Sequence, residues 1–352
     1  MIVGAALLVG ATVVILGACV LLIIAVVAVR ARRHSRNQRD EMLLSPLRQP
    51  LITVAAGEDD DGTAAEELTW ATGVSRTVLD RNIAEMLTKV RGVPAEQLVH
   101  VLEVHGAVDA AVDDLTSRST VKRARAAQLL GLARAERTVP LLVEALGDES
   151  VEVRNSAAYA LGLIGDPVAA GPVLAAIGAP ERGLPAATAA EALQSMGVGI
   201  SGVLRDGMAD PNARTRMVAA HLSGERSFTR GLPELRRLLD FDPDLTVRET
   251  SAVAIGRLGR GEDVGILVSH TASSEPLALR RACVVALGEL GETEAIPALV
   301  LLLGDADPRL AELAATALLT MGPDGRHALA GHDDEPAVRT ARLLASLQKA
   351  SA

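Results

Sequence analysis

The sequence predicts an all-α protein, with one N-terminal membrane-spanning helix followed by a long stack of similar helix pairs. Three observations carry this expectation. Residues 2–29 form an uncharged apolar run of 28 residues, and about 20 suffice to cross a bilayer. Hydrophobic residues make up 49% of the 352 but aromatics only 1%, so the core must be built from Leu, Val, Ile and Ala rather than the rings typical of sheets. From residue 118 onward, a short sequence pattern recurs roughly every 31 residues.

The apolar run is too long for a signal-peptide core and has no basic residue before it, so residues 1–30 are expected to span the membrane rather than to be cleaved. Arg30, Arg32, Arg33, Arg36 and Arg39 follow the run and no acid occurs in residues 1–39. The positive-inside rule then puts the N-terminus outside and the rest of the chain in the cytoplasm, as a single-pass protein of the cell membrane. Ala6, Gly10 and Gly17 form a small-residue stripe on which another membrane helix could pack.

Residues 31–65 are expected to be a basic juxtamembrane segment and acidic linker. They hold Pro46, Pro50 and the tract Glu58 to Asp61, with a short helix over Leu47–Ala56. Residues 66–115 turn helical. Leu79, Ile83, Met86 and Leu87 share one face, and Leu98, Val101, Leu102 and Val108 another, as expected of a helical cap or degenerate repeats. Residues 116–352 form the array.

In the array, Val153 to Gly162 serves as template, repeated by Val247 to Gly256 and Leu279 to Gly288. The last template position falls at 131, 162, 194, 223, 256, 288 and 319. Copies three, four and seven lack the glycine and carry Ala186, Thr215 and Ala311 in place of the template arginine. Apolar residues at i, i+4, i+5 and i+8 mark one helix face. Asp210-Pro211, Asp242-Pro243 and Asp307-Pro308 supply an N-cap acid and a first-turn proline. Short segments such as Val139-Pro140-Leu141-Leu142 provide a second helix per unit.

The Val-Arg…Ala-Ala…Ala-Leu-Gly helix, preceded by a Pro-Leu-Leu helix and an Asp turn, resembles the HEAT-repeat family, in particular its short bacterial PBS-lyase HEAT-like form. The resemblance covers residues 105–349 and implies an α-solenoid of about seven to eight helix pairs. Arg154, Arg248, Arg280 and Arg339 recur near acids such as Asp148, Asp244, Glu275 and Asp334, and are expected to knit adjacent turns together.

Chemistry is not predicted. Cys19 and Cys283 form no zinc or disulfide pattern, and His residues five apart do not share a helical face. Gly197 to Gly202 matches G-x-G-x-x-G but follows a repeat helix rather than a strand. No His-Glu dipeptide of the kind deoxyhypusine hydroxylases use occurs, and a surface this poor in aromatics suits a bilin lyase badly. No cofactor or metal is expected. Beyond residue 39 the chain carries 30 Lys and Arg against 44 Asp and Glu, which disfavours nucleic acid.

The expected role is a membrane-anchored cytoplasmic scaffold whose partner is a protein, with a membrane enzyme or transporter as candidate client. The alternatives are a subunit held mainly through its membrane helix, or a HEAT-like enzyme such as a bilin lyase. In HEAT arrays the second helix of each pair commonly lines the concave surface. Its outward positions, seven and three before the last template residue, nominate Tyr159, Glu191, Arg216, Glu249 and Arg281 for partner binding.

Overall fold

A computed structural model describes residues 38–351 together with Leu21, Leu22 and Arg30. Every regular element among them is helical. No helix of the described residues is long and apolar enough to cross a membrane. The spanning segment expected at 2–29, with Ala6, Gly10 and Gly17, lies outside the described residues apart from Leu21 and Leu22. The chain divides into two compact units, with the boundary between Asp113 and Asp114.

Besides helical residues 38–44, the described part of the first unit forms α1 (Arg48–Ala56), α2 (Thr63–Thr69), α3 (Gly73–Met86), α4 (Val93–Val104) and α5 (Ala107–Asp114), whose last residue falls across the boundary. Leu79, Ile83, Leu98, Val101 and Leu102 are fully buried in it, on the two faces that their spacing predicts. The expected linker differs. Its acidic tract contains a structural residue, Asp59, which is buried because its carboxylate accepts the free N–H groups of Ala64 and Ala65 in the first turn of α2, both at 2.9 Å.

The second unit opens with α6 (Thr120–Leu132) and continues as seven helix pairs: α7 (Val139–Ala145) with α8 (Val151–Ile164), α9 (Ala170–Ile177) with α10 (Ala186–Ser195), α11 (Ser201–Gly207) with α12 (Ala213–Glu225), α13 (Leu232–Phe241) with α14 (Leu245–Leu258), α15 (Val264–Ser269) with α16 (Leu277–Leu290), α17 (Ile296–Leu301) with α18 (Pro308–Thr320), and α19 (Gly322–Ala328) with α20 (Pro336–Ser351). Pro140, Pro233 and Pro297 sit in the first turn of their helices, where the missing N–H costs nothing. The expected N-cap holds at Asp307, whose carboxylate accepts from Leu310. In the fourth and fifth copies it moves two residues on, to Asn212 and Asp244, and the acids expected there, Asp210 and Asp242, take another role.

Each second helix lies along the next, and alanines and glycines make the close approach possible. A β-carbon placed on Gly131 would lie 2.4 Å from the Cα of Ala160, and one on Gly162 2.9 Å from that of Ala192. The same contact joins Gly224 to Ala254, Gly256 to Ala286 and Gly288 to Ala317. This seam corrects the register of the fourth copy. Its last template residue is Gly224, not Ser223, so the copy has its glycine after all, and Arg216 rather than Thr215 stands at the arginine position. Ser223, fully buried, gives its hydroxyl to the carbonyl of Ala219 at 2.8 Å. The third copy does lack the glycine, with exposed Gln194 in its place. α10 and α12 accordingly pack over the shortest stretch of any successive second helices.

The seam makes a direct prediction. Gly256→Ala must push two helices apart and should cost about 1–3 kcal/mol, as overpacking does. Gly265→Ala, with open space around its β-carbon, should be neutral or stabilising by up to about 1 kcal/mol. Urea unfolding of the two variants measures the difference.

Candidate protein-interaction surface

Which side chains of the array are free to bind depends first on which are consumed in holding it together. The inter-helix turns share a short motif. Asp148, Asp210, Asp242 and Asp305 each accept the backbone N–H two residues on, at 2.7 to 2.9 Å, and that later residue holds the N-cap position of the second helix. Six residues after Asp148, Asp210 and Asp242 comes the template arginine, and after Asp305 Ala311 takes its place. The arginine reaches back to its own turn, as Arg154 does to the Asp148 carbonyl at 2.8 Å and Arg216 to the Asp210 carbonyl at 2.9 Å. It also reaches forward to the next turn. Arg216 grips both oxygens of Asp242 at 2.7 and 2.8 Å, and Arg123 those of Asp148 at 2.8 Å. Arg280 bonds the Thr271 carbonyl behind it and Asp305 ahead.

The expected arginine–acid ladder is therefore present at Arg248 and Arg280. It is absent at Arg339, which is exposed and makes no side-chain bond to Asp334 among the described residues. The sequence reading missed some particulars of the ladder. Arg123 and Arg216 belong to it, Asp242 rather than Asp244 is the fifth copy's receptor, and in the sixth Glu275 serves, accepting from Arg248 at 3.1 Å. His270, buried beside that pair, bridges Asp240 at 2.7 Å and Glu275 at 3.0 Å. Rungs are missing on both sides of the third copy and after the seventh. Arg154 has no carboxylate partner among the described residues and its Nε is buried without one, and the third and seventh copies carry Ala186 and Ala311 in place of the arginine.

Of the five residues nominated for binding, the structure separates two. Arg216 is a correction: it is buried at 9% exposure and is the ladder arginine of its copy, misplaced outward by the one-residue slip. Arg281 is half exposed but paired with Asp307 at 2.8 Å, bracing the N-cap of α18. Tyr159 and Glu191 are exposed on α8 and α10, and Glu249 is half-buried on α14; none of these three side chains bonds another described residue. Burial and the nearby Asp244 carboxylate push Glu249 above the usual carboxylate range. The corrected register adds exposed His221 of α12 to the same row, three before Gly224. The surface column thus reads Tyr159, Glu191, His221, with Glu249 one turn away in the next copy.

A family model for HEAT repeats matches residues 108–194, and one for the PBS lyase HEAT-like repeat matches residues 279–305. Residues 108–194 and 279–305 thus carry HEAT-type repeats. No curated protein is significantly similar in sequence. Among solved structures, the chain is similar to the karyopherin Kap121p bound to the SUMO protease Ulp1p, with 12% identity, 88% of this chain and 38% of that chain covered, and a TM-score of 0.54. The complex of CpcE and CpcF of phycocyanin lyase from Nostoc sp. PCC7120 matches at 20% identity over 66% of this chain and 94% of that one, with a TM-score of 0.35. Human deoxyhypusine hydroxylase matches at 20% identity over 77% and 97%, with a TM-score of 0.29.

Two predictions follow from the ladder. Arg216→Ala strands the buried Asp242 carboxylate and should cost about 3 kcal/mol, the scale for breaking a buried pair from one side. Arg281→Ala, at an exposed pair, should cost far less; urea midpoints compare them. The second concerns acid. Burial raises Asp148, Asp242 and Asp305, but their arginine and backbone hydrogen bonds outweigh it and hold all three below the ordinary range. Carboxylates depressed in the folded state stabilise fully above their unfolded pKa of about 3.9 and lose that contribution as pH falls through the folded value. Stability should therefore drop steeply below about pH 4, and Asp242→Asn should flatten part of that drop in an acid titration followed by circular dichroism.

Proposed function

We propose that this chain is a membrane-anchored cytoplasmic scaffold that holds a protein partner against the face carrying Tyr159, Glu191, His221 and Glu249. The observation that carries the reading is the division of labour among polar side chains. The buried arginines and turn acids are spent on neighbouring repeats, whereas these four project from second helices with their bonding capacity open. Mixed polarity around one ring suits a protein better than a polyanion. Kap121p, whose fold is similar, is itself bound to a protein. The reading assigns no catalytic role and no cofactor.

Anchoring rests on the sequence of residues 2–29 and the arginines after it, which favour an outside N-terminus and a cytoplasmic array at the cell membrane. Tethering raises the effective concentration of a client in the same membrane, an enzyme or transporter for example, so modest contacts suffice. The small-residue stripe Ala6, Gly10 and Gly17 supports a second reading, in which the membrane helix makes the main contact.

Crosslinking of the tagged chain in native membranes, with mass spectrometry, tests both. A Tyr159→Ala, Glu191→Lys, Glu249→Lys variant should lose its crosslinked partner by at least about tenfold, while Gly10→Leu, Gly17→Leu should keep it. The opposite pattern would transfer the interface to the membrane helix. Release of the chain from membranes by alkaline carbonate would sink the anchor.

A further inference from the structure

The first unit carries a groove of about 550 Å³ between α2 and α4. One wall is a single stripe of α4: Val93, Gln97, His100 and Val104, spaced as one helical face. That stripe is not the buried one, because Leu98, Val101 and Leu102 of the same helix already fill the unit's core. The other wall is Ala65, Glu66 and Thr69 of α2. Val93 is 65% exposed and Val104 55%, so α4 presents valines to open space at both ends of the groove. Trp70, the chain's single tryptophan, follows Thr69 directly and is 72% exposed.

The groove's two walls are tied to each other by Asp59, since its carboxylate holds the first turn of α2 while its backbone carbonyl accepts from the Gln97 amide of α4 at 2.9 Å. A preformed cleft spares its ligand the cost of ordering it. Its electrostatics are one-sided. Glu66 and Glu96 line it and no Lys or Arg does, while the unit as a whole carries fourteen Asp and Glu against ten Lys and Arg, five of the latter confined to residues 30–39. An anionic lipid surface or nucleic acid is repelled by such a field, and a cationic ligand is drawn in.

We propose that this groove is a second docking site, separate from the HEAT face, and that it takes a short amphipathic helix of a partner protein with apolar residues on one side and Lys or Arg on the other. Apolar side chains of that helix lie between Val93, Val104 and the α2 wall, and its cations meet Glu66 and Glu96, the helix-in-groove mode of recognition.

The test uses the purified full-length chain, blanked against its buffer and any carrier lipid, and fluorescence anisotropy of a labelled Leu/Lys amphipathic peptide of about 15 residues. A peptide of identical composition in scrambled, non-amphipathic order is the control. The expected result is binding by the amphipathic peptide at least about tenfold tighter than by the scrambled one. Val93→Lys with Val104→Lys should weaken it about tenfold, and Glu66→Lys with Glu96→Lys comparably. These four residues are solvent-facing, so the variants fold, which circular dichroism verifies. The Tyr159→Ala, Glu191→Lys, Glu249→Lys variant should bind the peptide unchanged, which keeps this site distinct from the HEAT face. Equal binding of scrambled and ordered peptides, indifference to the valine substitutions, or no binding overturns the proposal.

Discussion

The array depends on one recurring contact, bidentate at Arg123 and Arg216: an arginine anchored on its own turn's carbonyl and closed on the next turn's carboxylate. A short helix pair cannot bury its apolar face alone, so each copy needs its neighbour in a fixed register. The alanine–glycine seam brings the backbones close but is smooth, and small residues alone would let helices slide. The arginine fork adds direction, because its planar nitrogens match a carboxylate in one geometry. Arg123 to Asp148, Arg216 to Asp242 and Arg280 to Asp305 all connect adjacent copies at the same end of the helices. The acid is placed before the arginine arrives, since the same carboxylate accepts the backbone N–H of its own turn.

Much of this was legible in the sequence. The period, the paired helices, the first-turn prolines and the idea of an arginine ladder all came from spacing, because a repeat writes its neighbour contacts into every copy. What misled was the fourth copy. Its alanines and leucines fit the template equally well one residue out, since apolar periodicity tolerates a slip that a glycine contact does not. Gly224 against Ala254 fixes the register, and with it moves Arg216 from solvent to core. A stricter signal was available: turn acid, one residue, cap, three residues, arginine. Asp210 and Arg216 obey it, as Asp148 and Arg154 do. Asp59 was harder to find. Within a run of four acids nothing local distinguishes the buried one, and its role depends on where α2 and α4 meet.

The two units use acidity differently. In the array, the turn carboxylates Asp148, Asp242, Glu275 and Asp305 are matched by arginines of the neighbouring copy, so these acids are structural and their field local. In the first unit fourteen acids meet ten Lys and Arg, but five of those cations are confined to residues 30–39, so the field of the later acids extends outward over a Debye length of about 8 Å at physiological salt. The glycines differ in the same spirit. Gly57, Gly62, Gly73, Gly92 and Gly106 all have positive φ and end or begin helices, whereas those of the array's seam lie within helices and serve by their lack of a side chain.

The rungs missing around the third copy have a consequence for how the array melts. A linear stack behaves as a chain of coupled spins, in which equal couplings make the whole length switch together and one poor coupling admits a stable boundary. Around the third copy three deficits coincide: Ala186 for arginine, Gln194 for glycine, and the short overlap of α10 with α12. A domain wall between folded and unfolded copies is cheapest there. The array therefore divides into two cooperative blocks, one from α6 to α10 and one from α11 to α20, each able to open while the other stays closed.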